Sequence, residues 1–493
     1  MKKNWILFLT IILSVFSVCE KGLGSTILEN DEKQDSLIEI TILYTNDEHG
    51  WFQQINDADG GAGLTGLWKN KEGYDGSDKY LVLSGGDMWT GAAASTWFLG
   101  KSMVEVMNAM EYDACAIGNH EFDFSLDILN QRLSEMDFPI LAANLTNKNT
   151  GEFPEFVKPY IIKEIDGIKV GIIGLASQYT PYTTFPINIV DFEFTDYTEA
   201  LNTYAPKAIN DGADFLILIS HLCEYELKEI SKVAYANKIC VLGGGHCHEK
   251  IAEKYNDVVI IESGDNMSAY TKVDFKYNYT RGEPQDFMYT LVQNNKGLLD
   301  NDVKEVVDYW NEQTKTILSE HIGYASTKIP ESSDEMWNMV CDSWLYTFPN
   351  TDVTITNKGG IRQDIFARDI TMETIVGLLP FENTLYELEL TGEQLIECIE
   401  GYIVGGMTTI DGYFLSDGTP IENQKMYTVI TTDYLYSQTN INLSVYDGDP
   451  YDTGVHYRQP LIDWIKSLNT STSNPLNDYL DSIPRHKNEK SRK

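Results

Sequence analysis

The sequence predicts an α/β protein of two units, and three observations carry that prediction. Short aliphatic and β-branched runs alternate with helix-like stretches and Gly-rich turns from about residue 37 to residue 275. From Asn294 the pattern changes to apolar residues at three- and four-residue spacing, which predicts one long helix. The chain also has 493 residues, more than a single hydrophobic core usually serves.

Residues 1–24 read as a secretory signal. Lys2 and Lys3 form a positive start, residues 5–18 are apolar, and Ser17, Cys19, Gly22 and Gly24 offer small-residue cleavage positions. That stretch is short for a membrane span, and no later run approaches one. The expectation is a secreted or periplasmic protein with no stable membrane span in the mature chain.

The first unit, residues 36–290, contains seven runs that read as buried strands. They are Ile40-Thr41-Ile42-Leu43-Tyr44, Tyr80-Leu81-Val82-Leu83, Ala116-Ile117, Lys169-Val170-Gly171-Ile172-Ile173-Gly174, Phe215-Leu216-Ile217-Leu218-Ile219-Ser220, Ile239-Cys240-Val241-Leu242 and Val258-Val259-Ile260-Ile261. Residues 291–322 form the linking helix. Its apolar stripe is Leu299, Val303, Val306, Val307, Trp310, Thr314, Ile317 and Leu318, with Asp300 or Asn301 as N-cap and a hinge expected near Gly323. The second unit, residues 323–485, shows strands at Asp352-Val353-Thr354-Ile355-Thr356 and Thr384-Leu385-Tyr386-Glu387-Leu388-Glu389-Leu390. A helix follows over residues 393–402, and the last dozen residues read as frayed.

A formal net charge of -37 makes DNA, RNA and anionic membranes poor partners for the body of the protein. It does not exclude a phosphate substrate, because screening acts over about 8 Å at physiological salt and a local cation pair can dominate a cleft. Seven cysteines become six if Cys19 leaves with the signal. Cys115, Cys223, Cys240, Cys247, Cys341 and Cys398 are scattered and fit buried small residues with one or two bridges. No short CxxC spacing fixes a pairing.

The chemistry lies at the strand ends. His49 stands in Asp47-Glu48-His49-Gly50, Asp87 in Gly85-Gly86-Asp87, and His120 in Gly118-Asn119-His120-Glu121. His221 follows its strand directly, and His246 and His248 form Gly245-His246-Cys247-His248. A lone histidine after an apolar strand is usually a capped or core residue. Five such polar motifs in one sheet architecture are instead the way a metal cluster is assembled from distant sequence.

The order Asp-x-His, Gly-Asp, Gly-Asn-His-Glu, His, Gly-His-x-His resembles the calcineurin-like metallophosphoesterases. The stretches Ile42-Leu43-Tyr44-Thr45-Asn46-Asp47-Glu48-His49-Gly50, Gly118-Asn119-His120-Glu121-Phe122-Asp123, Asn357-Lys358-Gly359-Gly360-Ile361-Arg362 and Leu379-Pro380-Phe381-Glu382-Asn383-Thr384 narrow the likeness to the 5′-nucleotidase branch. It covers nearly the whole mature chain. The resemblance implies an N-terminal four-layer metallophosphatase β-sandwich flanked by helices, the linking helix, and a smaller C-terminal α/β 5′-nucleotidase domain.

It also implies two divalent metal ions, zinc, manganese or similar. Asp47 and His49 would hold one metal and Asn119, His221 and His246 the other, with Asp87 bridging. His248 stands at the last position of the first site, where many members of the branch place an amide. Two metals about 3.5–4 Å apart lower the pKa of a shared water and polarise a phosphoryl oxygen. His120 would stabilise charge or protonate the leaving group, with Asp123 holding its tautomer. An N-cap role for Asp123 is compatible with this. Glu48 and Glu121 fit hydrogen bonding around the motifs.

The implied substrate is a small-molecule nucleotide, not a nucleic acid duplex. Arg362 matches the branch's phosphate-binding arginine, and a surface arginine after a tight turn is the alternative. Asn383 lies in the Leu379-to-Thr384 motif, and Tyr451, in Gly448-Asp449-Pro450-Tyr451, maps onto one of two rings that sandwich the base. Tyr402 and Tyr413 are candidates for the other ring. The expected activity is hydrolysis of nucleoside 5′-monophosphates or related nucleotides. The alternatives are a 2′,3′-cyclic-nucleotide phosphodiesterase/3′-nucleotidase, a broad phosphoesterase, or a non-catalytic nucleotide-binding protein.

Overall fold

The computed structural model describes residues 37–54 and 57–486, so the expected signal segment lies outside the described residues. Two six-stranded sheets stack face to face. One runs Glu283–Gln293, Ala269–Asn278, Leu37–Thr45, Tyr80–Ser84, Ala114–Ala116, Ile140–Leu141. The other runs Lys250–Tyr255, Val258–Ser263, Ile239–Gly243, Phe215–Ser220, Ile168–Leu175, Tyr160–Ile165. In the first sheet the four strands from Leu37–Thr45 to Ile140–Leu141 are parallel and the two at the other edge antiparallel, and in the second the four inner strands are parallel and both edge strands antiparallel.

Both faces of each sheet are covered, which explains why the strand sequences are almost continuously apolar. Ile40, Ile42 and Tyr44 pack with Phe215, Ile217, Ile219 and Val241 between the sheets. Leu43 faces a helical layer containing Leu64, Trp68, Met103 and Val307. Leu216 and Leu218 face the helices Tyr197–Asn210 and Glu224–Ala236 on the opposite side. The result is the expected four-layer sandwich.

The linking helix is Asn301–Leu318, shorter than the predicted residues 291–322. The strand Glu283–Gln293 consumes the earlier residues by pairing along the sheet edge, with Gln293 opposite Ala269. Asp300 is the N-cap, and its carboxylate accepts from the Val303 N–H at 3.1 Å. Val303, Val307, Trp310, Thr314 and Leu318 form the buried face. The Trp310 ring lies 4.8 Å from that of Phe98, and its N–H donates to Glu105 at 3.0 Å. The helix therefore belongs to the outer layer of the sandwich. At its end, Leu318 packs with Ala93 and with Val376 of the second domain. Gly323, the expected hinge position, is closely packed. It sits in the strand His321–Tyr324, where a Cβ would fall 2.5 Å from Thr470 Oγ1 and 2.6 Å from Ile465 Cγ2.

The second domain holds a five-stranded sheet in the order Ile403–Gly405, Val353–Thr356, Met426–Thr432, Thr384–Thr391, Tyr451–His456. Helices Asp334–Thr347 and Gln459–Ser467 cover one face and Gly392–Cys398 the other. The last of these begins with a reciprocal Thr391–Gln394 capping box and ends before the predicted residue 402. Gly401, at φ 84°, turns the chain out of the helix. Residues 481–486 are strapped down, and the rest of the last dozen residues, expected to be frayed, lies outside the described residues. Asn338 donates to the carbonyls of Asp481 and Ile483, and Arg485 pairs with Asp342 and Asp481.

Candidate active site at the domain interface

All five ligand-bearing motifs follow the C-terminal ends of parallel strands. Asp47 and His49 follow Leu37–Thr45, Asp87 follows Tyr80–Ser84, and Asn119 and His120 follow Ala114–Ala116. His221 follows Phe215–Ser220, and His246 and His248 follow Ile239–Gly243. Carboxyl ends of parallel strands are where α/β folds gather ligands.

Their backbones are not relaxed. Asp47, His49, Asp87, His246 and His248 adopt φ of 50°, 46°, 59°, 72° and 56°. The left-handed region costs an L-residue on the order of 1–3 kcal/mol and persists only where the surroundings fix it. Here the Asp47 and His49 N–H groups donate to the carbonyls of Gly86 and Asp87, both at 2.9 Å. The buried Glu121 carboxylate accepts from the N–H groups of Asp87, Met88 and Gly118. Gly118 itself has to lack a side chain, because a Cβ would lie 2.1 Å from Asp87 Oδ1. Glu48, which accepts from the hydroxyls of Thr45 and Ser84, supports the motif in the same way.

The side chains form three overlapping groups: Asp47 with His49 and His248, His49 with Asp87 and His120, and Asp87 with His221 and His246. The chemistry of these donors fits cations. His49 Nδ1 lies 2.9 Å from the Thr90 carbonyl and so carries the proton there, leaving a lone pair on Nε2. That Nε2 faces His248 Nε2 at 3.1 Å, and His221 Nε2 likewise faces His246 Nδ1 at 3.3 Å. Two imidazole nitrogens at that distance need a proton or a metal between them. Asn119 supplies a second indication. Its amide donates to the Thr183 carbonyl at 3.1 Å, while its buried Oδ1 has no hydrogen-bond partner among the described residues.

Protonation favours the same reading. Burial alone would raise Asp47 and Asp87, yet His248 and His221 hold Asp47 low, and His221 and His120 hold Asp87 low. Burial pushes His246 down to about 4 and His49 well below the ordinary range, the latter helped by Arg362. Ionised carboxylates and neutral imidazoles are the forms that bind metals. His248 is raised by Asp47 against burial, and His221 differs too: Asp87, at 2.9 Å, outweighs burial and lifts it to about 10. Its Nδ1 is fixed by the Gly85 carbonyl at 2.8 Å, so a metal on Nε2 has to displace a proton.

His120 is held differently. Its Nδ1 is 2.6 Å from Asp123 Oδ2, and Asp123 Oδ1 accepts from the Thr184 hydroxyl at 3.0 Å. Its Nε2 is 3.9 Å from Asp87 Oδ2, and its ring stacks on Phe381 of the second domain at 5.8 Å.

A cavity of about 380 Å³ opens between the domains over this cluster. Asp87, Asn119, His120, Asp123, His246 and His248 line it from one side, and Arg362, Phe381, Asn383 and Tyr434 from the other, with Phe124 and Phe185 at its wall. Arg362 reaches across, one guanidinium nitrogen standing 3.1 Å from His49 Nε2. The expected ring Tyr451 is not in the cavity. It opens the edge strand Tyr451–His456, opposite Glu387, and is 66% exposed. Tyr402 packs into the second domain's core, Tyr413 is exposed, and Arg368 lies on the Phe366 ring at the surface. Phe381 lies within the Leu379-to-Thr384 motif, and Tyr434 lies in no motif.

Another residue without a sequence signal organises this wall. Arg458 is buried and donates to the carbonyls of Leu379, Pro380 and Phe381 and to the Glu382 carboxylate. It fixes the loop that presents Phe381 and Asn383. The Cys223–Cys247 disulfide was likewise not legible.

Comparison with known proteins agrees with this architecture. Residues 314–416 match the family described as 5′-nucleotidase, C-terminal domain. The chain is 24% identical to a 5′-nucleotidase of Vibrio parahaemolyticus over 91% of this chain and 90% of that one. It is also 24% identical to the cell wall protein Lmo0130 of Listeria monocytogenes over 81% of this chain, and spans only 63% of that relative's length. The crystal structure of a 5′-nucleotidase precursor from Thermus thermophilus superposes with a TM-score of 0.80 at 19% identity, covering 92% of this chain and all of that one. No helix among the described residues is long and apolar enough to cross a membrane.

Proposed function

We propose that this chain, which belongs to the 5′-nucleotidase branch of the calcineurin-like phosphoesterases, is a secreted or periplasmic hydrolase. It uses two divalent cations, zinc, manganese or similar, to release phosphate from nucleoside 5′-monophosphates or related nucleotides. The observation that carries the reading is the meeting of two histidine–carboxylate groups and the orphaned Asn119 Oδ1 with Arg362 in one cavity.

Asp47, His49 and His248 would hold one cation and Asn119, His221 and His246 the other, with Asp87 placed beside His49 and beside His221 and His246 so that it could serve both. When bound, the pair supplies an activated water and neutralises the phosphoryl oxygens. Arg362 orients the phosphate through its planar fork. Asp123, itself tied by Thr184, accepts the Nδ1 proton of His120 and stabilises its imidazolium, so that the Nε2–H would meet the leaving oxygen as a proton donor. The nucleoside lies along Phe381 and Tyr434, with Asn383 as a polar contact; the ring contact thus moves from Tyr451 to these residues. The disulfide fits an oxidising compartment.

The test is phosphate release by purified protein, stripped and then reloaded with zinc or manganese, from AMP, ATP, UDP-glucose, 2′,3′-cyclic AMP and bis-p-nitrophenyl phosphate. Metal-dependent turnover of AMP is expected. A loaded protein that leaves AMP intact refutes the nucleotidase reading, and faster turnover of the cyclic nucleotide reassigns it to the diesterases.

A further inference from the structure

The disulfide joins the two loops that carry three of the metal-ligand candidates. Cys223 lies two residues after His221, and Cys247 lies between His246 and His248. The same loops share one backbone hydrogen bond, from the Gly245 N–H to the Leu222 carbonyl at 2.9 Å. Cys223 is also the N-cap of the helix Glu224–Ala236, its own N–H held by the buried Glu226 carboxylate at 3.0 Å. One end of the bridge is thus anchored to a buried helix start. The other end lies in a tight loop, with Cys247 N–H bonded to the Gly245 carbonyl and with His246 and His248 both at left-handed φ.

That asymmetry is informative. A loop with two L-residues in a costly backbone region relaxes unless something holds it. The loop's other restraints are hydrogen bonds, the Gly245 N–H on the Leu222 carbonyl, the His246 N–H on the Asp47 carboxylate and the Glu249 N–H on the Glu262 carboxylate, and His248 is partly exposed. The bridge is the covalent restraint at the centre of the strained pair.

We infer that Cys223 and Cys247 are positioning residues for the metal centre: their disulfide holds His246 and His248 in ligand geometry against His221. Metal retention is thereby sensitive to thiols. The inference rests on the two-cation reading above and extends it to which covalent link preserves the site. A dithiol such as dithiothreitol supplies the two electrons and two protons that convert the bridge to two thiols, becoming a cyclic disulfide itself. Among the described residues Cys115, Cys240, Cys341 and Cys398 are already free thiols, so the bridge is the reducible group there.

The test is zinc affinity of the full chain, measured by competition with a chromophoric chelator, alongside thermal unfolding of the metal-free form. The wild type is measured oxidised, after dithiothreitol, and after reoxidation with diamide. The Cys223→Ser/Cys247→Ser double variant is measured with and without dithiothreitol. Zinc affinity is expected to fall roughly 10- to 100-fold in the reduced wild type and in the double variant, and to recover on reoxidation. Dithiothreitol should change nothing further in the variant, which separates bridge reduction from chelation by the reagent. Unchanged zinc affinity with only a lower unfolding temperature makes the bridge a general staple and overturns the inference. If the variant does not fold, the reversible wild-type cycle decides alone. A fully oxidised chain that binds no zinc or manganese fails the two-cation reading and this inference with it. Two ions held equally well before and after reduction fail this inference only.

Discussion

The guanidinium of Arg362, carried by the C-terminal domain, stands 3.1 Å from Nε2 of His49, carried by the N-terminal sandwich. The arginine's own backbone N–H is fixed by the Leu378 carbonyl at 2.9 Å. A charge held at this distance from the ligand set can reach an anion bound there without large motion. Arg362→Ala removes a charge-assisted contact worth about 1.5–3 kcal/mol, so kcat/KM for a nucleoside monophosphate should fall roughly ten- to a hundredfold. Steady-state kinetics on AMP check this. A variant that keeps wild-type kcat/KM would mean the guanidinium is bound to the protein and not to substrate.

Chelation should abolish turnover, and zinc or manganese should restore it. Gly118→Ala should have a related effect by sterics alone, because its Cβ would lie 2.1 Å from Asp87 Oδ1. Asp87 groups with His49 on one side and with His221 and His246 on the other, which the proposal assigns to different cations, so both ions should weaken together. Elemental analysis after dialysis reads this directly; loss of a single ion would show that Asp87 serves only one site.

His120→Ala should lower kcat strongly while two ions stay bound, since its Nδ1 is engaged by Asp123 and its function lies in protonation. Thr184→Val removes the hydroxyl that orients Asp123 and should cost about three- to tenfold in kcat. Both losses should shrink for p-nitrophenyl phosphate, whose leaving group needs little protonation. Equal losses across leaving groups would assign His120 to phosphoryl charge. Loss of an ion would make it a ligand.

The sandwich and its motifs were legible because the information is local. Each strand is a run of apolar residues, and each candidate ligand follows one within a few positions, so Asp47, Asp87 and His246 could be nominated without knowing the pairing. The rest depends on distance in space. Tyr451 was nominated by its sequence neighbours, yet the edge strand carries it into solvent, while Tyr434 reaches the cavity from another strand end and donates to the Tyr182 carbonyl across the interface. Arg458 is separated from the loop it organises by more than seventy residues. Cys223 and Cys247 pair because two adjacent parallel strands end side by side, a neighbourhood that spacing cannot express. The N-cap at Asp300 was legible, whereas the strand that occupies the residues up to Gln293 was not, because its pairing along the sheet edge is a relation in space.

Substrate selection should therefore reside in Phe381 and Tyr434. Both line the cavity, and Phe381 also stacks on His120, so its loss should affect every substrate to some degree. Tyr434 contacts the segment that carries Thr183 and Thr184 but no candidate ligand, which makes it the cleaner probe of base recognition. Tyr434→Leu keeps bulk and removes the aromatic face, so kcat/KM for AMP should fall roughly tenfold, as expected for about 1–3 kcal/mol of stacking. Hydrolysis of p-nitrophenyl phosphate, which carries no base, should change less than twofold. Tyr451→Ala, 66% exposed and outside the cavity, should change neither. If Tyr451→Ala selectively impaired AMP instead, the domains would have to rearrange in solution to bring that edge strand over the metals. A parallel loss on both substrates for Tyr434→Leu would mean that the ring closes the domain interface and does not read the base.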